Sequence, residues 1–337
     1  NPALRFMINF KHNNGTMIRA VSYFLLIIFA LAMAIFYWGA SVVEKQQESI
    51  TSWVSLEAGY PIQIAEIKLS WVDISPQLEF KTIKVMAKDN SAELLSLETL
   101  YLDLNVFSSL WFMNFMMDEV TAIGLNLTAA RDSNGKFYIQ GLKQNSDSTT
   151  LFSDIIKHTN KLNSFNLKAV NVNYDDQQQV NLSGRYQIER ATLSHSASSW
   201  YANGQISLPT SLGDNFEFST NWRLNQQNTK LMTWQGIIKT NNVLISPLSP
   251  YLNWNNITLE KGLFNSIITV EGLGLEVREA KLDIELSHAM LASKEIGDVL
   301  KPIDVEYFSG NFLWKDQGMG DLWLFSGNDI NLSMKGE

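Results

Sequence analysis

Not one of the 337 residues is cysteine. That absence excludes disulfides, thiolate nucleophiles and cysteine-based metal sites, and it leaves the compartment open, because oxidising environments permit disulfides without requiring them. It is compatible with an envelope protein. A basic surplus is missing as well. The 34 Asp and Glu outnumber the 26 Lys and Arg, so electrostatics gives no reason to expect nucleic acid as a partner. Histidine is scarce: His12, His158, His195 and His288 are widely separated, and none has a second ligand at metal spacing. Gly272 and Gly274 lack the third glycine and the strand-to-helix context of a dinucleotide site. Asp175 and Asp176 are adjacent in a turn-like stretch, which suits a turn more than acid–base work. There is no nucleophile elbow and no P-loop. The chain therefore reads as no enzyme, with no cofactor and no metal. Five Asn-x-Ser/Thr triplets, at Asn14, Asn126, Asn181, Asn256 and Asn331, read as chance in an Asn-rich sequence.

What is present is a pattern. At 45% apolar content the chain can supply a sizeable core, and the apolar residues recur eight times, in complete or partial copies, as φxφxxφxφ. The first three copies are Ile62, Ile64, Ile67, Leu69, Trp71; then Leu78, Phe80, Ile83, Val85; then Leu95, Leu97, Leu100, Leu102, Leu104. Val120, Ile123, Leu125, Leu127 follow, then Phe165, Leu167, Val170, Val172, Tyr174, and Tyr186, Ile188, Ala191, Leu193. The last two are Val277, Ala280, Leu282, Ile284, Leu286 and Val305, Tyr307, Phe312, Trp314. Strand side chains alternate faces with period two, so the slip in the middle would turn the second half over unless a β-bulge restores the face. A bulge repeated strand after strand bends and twists a sheet into a trough or half-barrel.

Ala20 to Val43 carries no charge and is dominated by Leu, Ile and Phe, long enough to span a bilayer core of about 30 Å. Arg5, Lys11 and Arg19 precede it, which puts residues 1–19 in the cytoplasm, and Tyr37 and Trp38 sit where an interfacial belt belongs. A cleaved signal peptide is the competing reading, but its apolar core would be shorter and end in a small-x-small site, and only Gly39 to Ser41 resembles one. A buried core helix fits less well, because the run is apolar all round. We therefore expect a single-pass anchor over 20–43.

The spacing of Ile50, Trp53, Val54 and Glu57 predicts an amphipathic helix over 44–58, ended by Gly59, that plugs the sheet end or lies at the membrane surface. A first module covers 44–140, with a short helix between Phe107 and Met117 and a hairpin at Ser133 to Gly135. Residues 141–150 are polar and read as a linker, and 151–337 continues the β pattern. Helices are expected there at Leu151 to Leu162 and Ala289 to Val299. Turns are expected at Asp175 to Gln179, Ser196 to Ser199, Thr210 to Asp214, Asn225 to Thr229 and Asn241 to Asn242. The chain stops at Glu337 just after a strand-like stretch and reads as a fragment of something longer.

The expected fold is mainly β: the membrane helix followed by a coiled antiparallel groove with a few short helices. An apolar sheet face must be buried against a second sheet, against itself in a barrel, or against a ligand. Sandwiches are the common solution. The repeated slips and the anchor favour a lipid-holding groove, because an acyl chain gains about 0.8 kcal/mol per buried CH₂ on such a stripe. The lining is expected from Ile62, Ile64, Ile67 and Leu69; Leu78, Phe80, Ile83 and Val85; Leu100, Leu102 and Leu104; Ile123, Leu125 and Leu127; Val170 and Val172; Leu282 and Ile284.

Several stretches carry a family resemblance. Gly-Tyr-Pro-Ile-Gln-Ile (Gly59 to Ile64), Leu-Ser-Trp (Leu69 to Trp71), Pro-Gln-Leu-Glu-Phe (Pro76 to Phe80), Leu-Tyr-Leu-Asp-Leu (Leu100 to Leu104) and Arg-Asp-Ser-Asn-Gly-Lys-Phe (Arg131 to Phe137) are the first of them. Trp-Gln-Gly from Trp234, Ile-Ser-Pro-Leu from Ile245 and Leu-Trp-Lys from Leu313 add to them. In order and spacing the chain from about Met17 resembles the N-terminal part of the AsmA-like YhdP family, whose members are far longer; residues 1–16 lie outside the resemblance. The resemblance implies a bacterial inner-membrane protein that projects a β-groove across the periplasm and carries phospholipid towards the outer membrane, supporting its barrier. Its implied partners are phospholipid, the inner membrane and other inner-membrane or envelope proteins. The alternative is a membrane-anchored periplasmic scaffold or assembly factor with a closed β core.

Overall fold

The computed structural model describes residues 45–72, 75–105, 108–109, 116–141, 162–196, 198–223, 232–254, 257–274, 276–293, 302–317 and 323–334. Within them one helix, α1 (Gln47–Ala58), precedes β1 (Ile62–Val72), β2 (Ser75–Met86), β3 (Glu93–Leu104), β4 (Met117–Ile123), β5 (Asn126–Arg131) and β6 (Phe137–Ile139). Next come β7 (Ser164–Asp176), β8 (Gly184–Ser196), β9 (Ser199–Ser207), β10 (Gly213–Arg223), β11 (Thr233–Leu244), β12 (Asn253–Trp254) and β13 (Ile257–Leu273). The last are β14 (Glu276–Ser293), β15 (Ile303–Asp316) and β16 (Trp323–Met334). Short 3-10 turns occupy Val180–Leu182 and Ser246–Tyr251. The expected membrane helix at 20–43, the helix at 151–162 and the turn at 225–229 lie outside the described residues. So does most of the stretch between Phe107 and Met117. Among the described residues no helix is long and apolar enough to cross a membrane.

All sixteen strands belong to one sheet, whose main path runs β1-β2-β3-β4-β7-β8-β9-β10-β11-β13-β14-β15-β16. The two ends of the path do not pair with each other, so the sheet is open, and no second sheet is described. The expected all-antiparallel order holds except at β7, which runs parallel to β4 and β5. Residues 142–161 separate β6 from β7, enough chain for the crossover that a parallel pair requires. The sheet thus runs without interruption from the strands before that segment to those after it. Two further expectations fail. Asn241 and Asn242 lie inside β11 rather than in a turn, and Ala289 to Ser293 extend β14 rather than start a helix.

The slips in the sequence become one crease. β1 and β2 keep a single register from Ile62↔Val85 to Val72↔Ser75, yet Ala65 and Thr82 do not pair, and Thr82 takes φ +50°. The same break recurs beside it: Gly124 between β4 and β5 has φ +72°, and Ala169 in β7 has φ +52°. In β8 the register shifts between Ile188 and Arg190. Because the strands break at the same level, no strand gains a residue on its partner at this crease over β1 to β7, and the face is restored there without losing register; the shifts at Val85/Met86 and Asp103/Leu104 lie at strand ends. This differs from the isolated bulge, which adds one residue to one strand. A second crease crosses the later strands at Asn242 (φ +48°), Gly262 (φ +141°) and His288 (φ +51°). An ordinary bulge also occurs: Glu271↔Glu279 and Gly272↔Val277 leave Arg278 unmatched, which keeps Val277 and Ala280 on one face.

α1 closes the first edge of the sheet. The Gln47 side-chain amide donates to the carbonyls of Ile64 and Ala65, each at 3.1 Å. The Ser55 hydroxyl accepts from the Ile62 N–H at 3.0 Å. Edge groups that would otherwise template another strand are thereby occupied. Gly59 (φ +69°) ends the helix in a left-handed cap, its N–H on the Ser55 carbonyl.

Left-handed φ costs a β-branched residue about 1–2 kcal/mol, and a strand glycine costs about 0.5–1 kcal/mol in entropy. Thr82→Gly should therefore shift the urea unfolding free energy by no more than about 1 kcal/mol in either direction. Thr82→Pro, locked at negative φ, should lower it by about 3 kcal/mol or more. A Gly variant losing 2 kcal/mol or a Pro variant behaving as wild type would contradict the crease.

Candidate functional site: the apolar face

Residues paired across strands point to the same side of a sheet, so the register sorts every side chain onto one of two faces. On one face a row runs Ile67, Phe80, Leu100, Ala122, Leu167, Ala191, Gly204, Phe218, Ile238, Ile268, Leu282, Phe312, Gly327. The adjacent row runs Leu69, Leu78, Leu102, Val120, Phe165, Leu193, Ala202, Thr220, Gly236, Val270, Ala280, Trp314, Phe325. Both cross every strand of the main path without a charged side chain. At about 4.8 Å per strand the twelve steps make a stripe about 58 Å long, well beyond one acyl chain.

Across the first crease the face continues. Ile64, Ile83 and Leu97 align, as do Val170, Ile188, Ile206, Phe216, Thr240, Ser266 and Ile284. A further row holds Ile62, Val85, Leu95, Leu127, Val172 and Tyr186. Leu125 lies between Leu97 and Val170, since the pairings on either side of it keep one register. Leu104 follows Leu102 at the end of β3, where the register shifts. The few polar residues in these rows satisfy themselves. The hydroxyls of Thr240 and Ser266 are 3.0 Å apart, and Thr220 donates to the Gln235 carbonyl at 2.9 Å.

Seventeen of the eighteen expected lining residues thus share this face. Ile123 is the exception. It pairs with Thr99 and Lys168, which sets it on the opposite, polar face. The break in that strand is at Gly124, so the residues continuing the apolar row are Val120 and Ala122. Tyr307 is displaced in the same way: it pairs with Ser287, while Val305 and Phe308 take the apolar positions. Sequence reasoning missed two kinds of residue on this face: the small ones, Ala122, Gly204, Gly236 and Gly310, and the large ones of β9 to β13, among them Ile206, Phe216, Phe218, Ile238 and Ile268, whose strands lack the slipped pattern. Gly204 leaves room for the Phe218 ring, and Gly272 for the Trp234 indole; a Cβ at either would collide with the ring.

Burial concentrates on this face although no second layer is described. Ile67 is 0% exposed, Val170 1% and Trp200 1%, and Phe80, Val120 and Ala122 are also buried. Side chains that bury one another within one layer must converge, as they do on the concave side of a coiled sheet. At the second crease Ile245, Leu286, Ala289 and Val305 form a small buried cluster with Phe264 and Phe308 against it. Elsewhere most of the face is half-buried, and only thirteen apolar residues are buried among the described residues.

The other face is wet. Glu66 pairs with Lys68 at 2.7 Å and Lys81 at 3.4 Å, and Glu279 with Lys281 at 2.8 Å and Lys315 at 2.9 Å. Hydrogen bonds from Lys68 hold the Glu66 carboxyl below the usual range, and those from Lys281 do the same for Glu279. Exposed pairs of this kind add little stability. A concavity of about 560 Å³ is lined mostly from this face, by groups such as Lys239, Asn241, Asn265, Asp283, Glu285 and Asn311. It offers no apolar ligand a home. Among the described residues no cluster of His, Cys, Asp or Glu could hold a metal ion.

One end of the apolar face is locked by charge. Asp176 is 1% exposed and accepts from Arg131 Nε at 2.9 Å, Tyr174 Oη at 2.8 Å and the N–H groups of Gln178 and Gln179. Arg131 Nη2 lies 2.6 Å from its second oxygen. Burial alone would raise the Asp176 carboxyl, but the Arg131 guanidinium and the backbone donors outweigh it and hold the group below the usual range. Burial, then the Asp176 charge, push the Tyr174 hydroxyl up to about 12. The adjacent acids of the turn therefore split: Asp175 is exposed and Asp176 fastens β7 to β5.

Compared with known proteins, the chain matches a family model described as YhdP protein over residues 6–337. No curated protein and no solved structure matches it.

Asp176→Asn should cost about 3 kcal/mol, because it leaves Arg131 buried without its countercharge. A depressed folded-state pKa gives stability that is present above the unfolded value, about 3.9, and is lost as pH falls through the folded one. Urea titrations from pH 6 to pH 2 should thus show a wild-type decline below about pH 4 that is shallower in the variant. Equal slopes would mean that the lock is not charged in the folded chain.

Proposed function

Given that the chain belongs to the YhdP family, we propose that it conducts phospholipid along its apolar face, from the bacterial inner membrane towards the outer membrane. The observation that carries this reading is the pair of uncharged rows crossing all thirteen strands of an open sheet. Each step along such a stripe exchanges one set of apolar contacts for an equivalent set. A lipid tail is then held at about 0.8 kcal/mol per CH₂ without a deep minimum to trap it. A polar opposite face and an open trough keep the ligand on one side. No chemical step is involved: the ligand moves and is not altered.

The reading places residues 20–43 as a retained single-pass anchor with the N-terminus cytoplasmic and the described strands in the periplasm. Gln47 follows Val43 by four residues, a reach of about 14 Å at most, so α1 would lie at the membrane surface. Its exposed face fits that place: Trp53 is 65% exposed and Leu56 82%, while Gln47 and Ser55 hold the helix to β1. The mouth of the trough would then open at the lipid surface beside β1.

A photo-crosslinking amino acid at Leu102 or Leu125 in the full chain in cells should capture phospholipid, identified by mass spectrometry. The same group at Tyr101 or Thr121, on the polar face, should not. Only protein or intramolecular adducts at Leu102 and Leu125 would mean that the face is a closed core, and a periplasmic scaffold or assembly factor would replace the conduit. Leu102→Asp separates the two a second way: a conduit loses transport and keeps its fold, whereas a closed core unfolds.

A further inference from the structure

The two lips of the trough differ in one residue type. Trp71, Trp200, Trp222, Trp234 and Trp323 end their strands at one lip, and Trp314 lies one row inside it. Trp254, in the two-residue β12, lies toward the other. Besides that one tryptophan, the aromatic side chains toward the other lip include Phe137 and Tyr174, stacked 6.3 Å apart, and Tyr186.

The tryptophan lip is ordered. Trp200 and Trp222 stack with centroids 5.9 Å apart and ring planes within 4°. His195 lies against Trp200 at 4.6 Å. Trp234 lies across β13 over Gly272, donating Nε1–H to the Gly274 carbonyl at 3.1 Å. Beside this lip two arginines keep part of their guanidinium in water. Arg223, exposed, donates to Ser199 at 3.5 Å, and Arg278 is 42% exposed while bound to Glu276 and Asp316. At the opposite lip Arg131 is bound to buried Asp176, while Arg185 is exposed and donates to Asn171 at 2.9 Å, so arginine does not distinguish the lips.

Indole combines a large apolar body with one N–H donor, and it concentrates at the boundary between hydrocarbon and headgroup rather than in either. A row of indoles along one lip reproduces that boundary on a protein surface.

We propose that a phospholipid in the trough is oriented across it, its glycerol and phosphate riding on the tryptophan lip and its acyl chains lying over the aliphatic rows toward the other lip. This rests on the conduit reading and adds a sidedness to it. The headgroup then stays in water at one lip along the path, so transport would tolerate different headgroups and still exclude water from the chains.

The test uses the full chain in proteoliposomes with two phosphatidylethanolamine probes, one with a diazirine on the headgroup and one with it at the acyl terminus. Headgroup adducts should map, at single-residue resolution, to Trp222, Trp234 and Trp323, and acyl adducts to Phe218 and Ile238. Trp222→Phe, which keeps an aromatic ring but removes the N–H and one ring of the indole, should lower headgroup labelling at this lip at least threefold while acyl labelling stays. Headgroup adducts at Tyr186, or equally at both lips, or unchanged labelling in the Phe variant, would overturn the sidedness and leave the conduit standing. Labelling by neither probe would overturn the conduit itself and the sidedness with it.

Discussion

Every long strand of this sheet must carry its apolar side chains through a bend without turning them over. A single left-handed residue does that locally, at a cost of about 1–2 kcal/mol where it is not glycine. What makes the arrangement work is alignment. Thr82, Gly124 and Ala169 stand at one level across neighbouring strands, so each strand bends where its partner bends and the ladder on either side keeps its register. A bend in one strand alone would shift that strand against the next and send its remaining apolar residues to the polar side. The unbroken face and the burial of Ile67 and Val170, with no covering layer among the described residues, depend on this shared crease.

Among the described residues no second sheet lies over this face, and its side chains meet one another instead. Side chains that converge on the concave side bury one another in part. The glycines at Gly204 and Gly272 give their space to Phe218 and Trp234, which turns backbone positions into room for rings. The exposed edge of β1 is met by Gln47 and Ser55 of α1, and the end of β7 is held to β5 by Arg131 and Asp176. What is left is a long face only half out of water, suited to an apolar ligand that is itself flexible.

The slip was legible in the sequence because Leu, Ile, Val and Phe marked both sides of it in β1, β2, β3, β7 and β8. It was misread where a small residue stood in the row. Ala122 was passed over for Ile123, and Gly310 left Tyr307 looking like the repeat, so each was assigned one residue away from its true face. Glycine was the better signal in the first case, since Gly124 takes the left-handed conformation that makes the break. Asn241 and Asn242 looked like a turn because asparagine tolerates positive φ; the same tolerance serves here to crease a strand. The parallel pairing of β7 had no local signal at all, being set by which edge the chain returns to after residues 142–161. Asp176 was read as a turn residue because its partner, Arg131, is 45 positions away.

The central claim is that this face is occupied by lipid rather than by protein. It is tested most directly by counting phospholipid retained per chain after gentle extraction of the full-length protein. The comparison is a variant with Leu102→Asp, Leu167→Asp and Ile268→Asp, three positions spread along the two rows. The expected result is a fall in retained phospholipid with the β-sheet circular dichroism and thermal midpoint little changed. An unchanged lipid count, or a variant that no longer folds, would contradict the claim, the first by showing that lipid is held elsewhere and the second by showing that the face is a core.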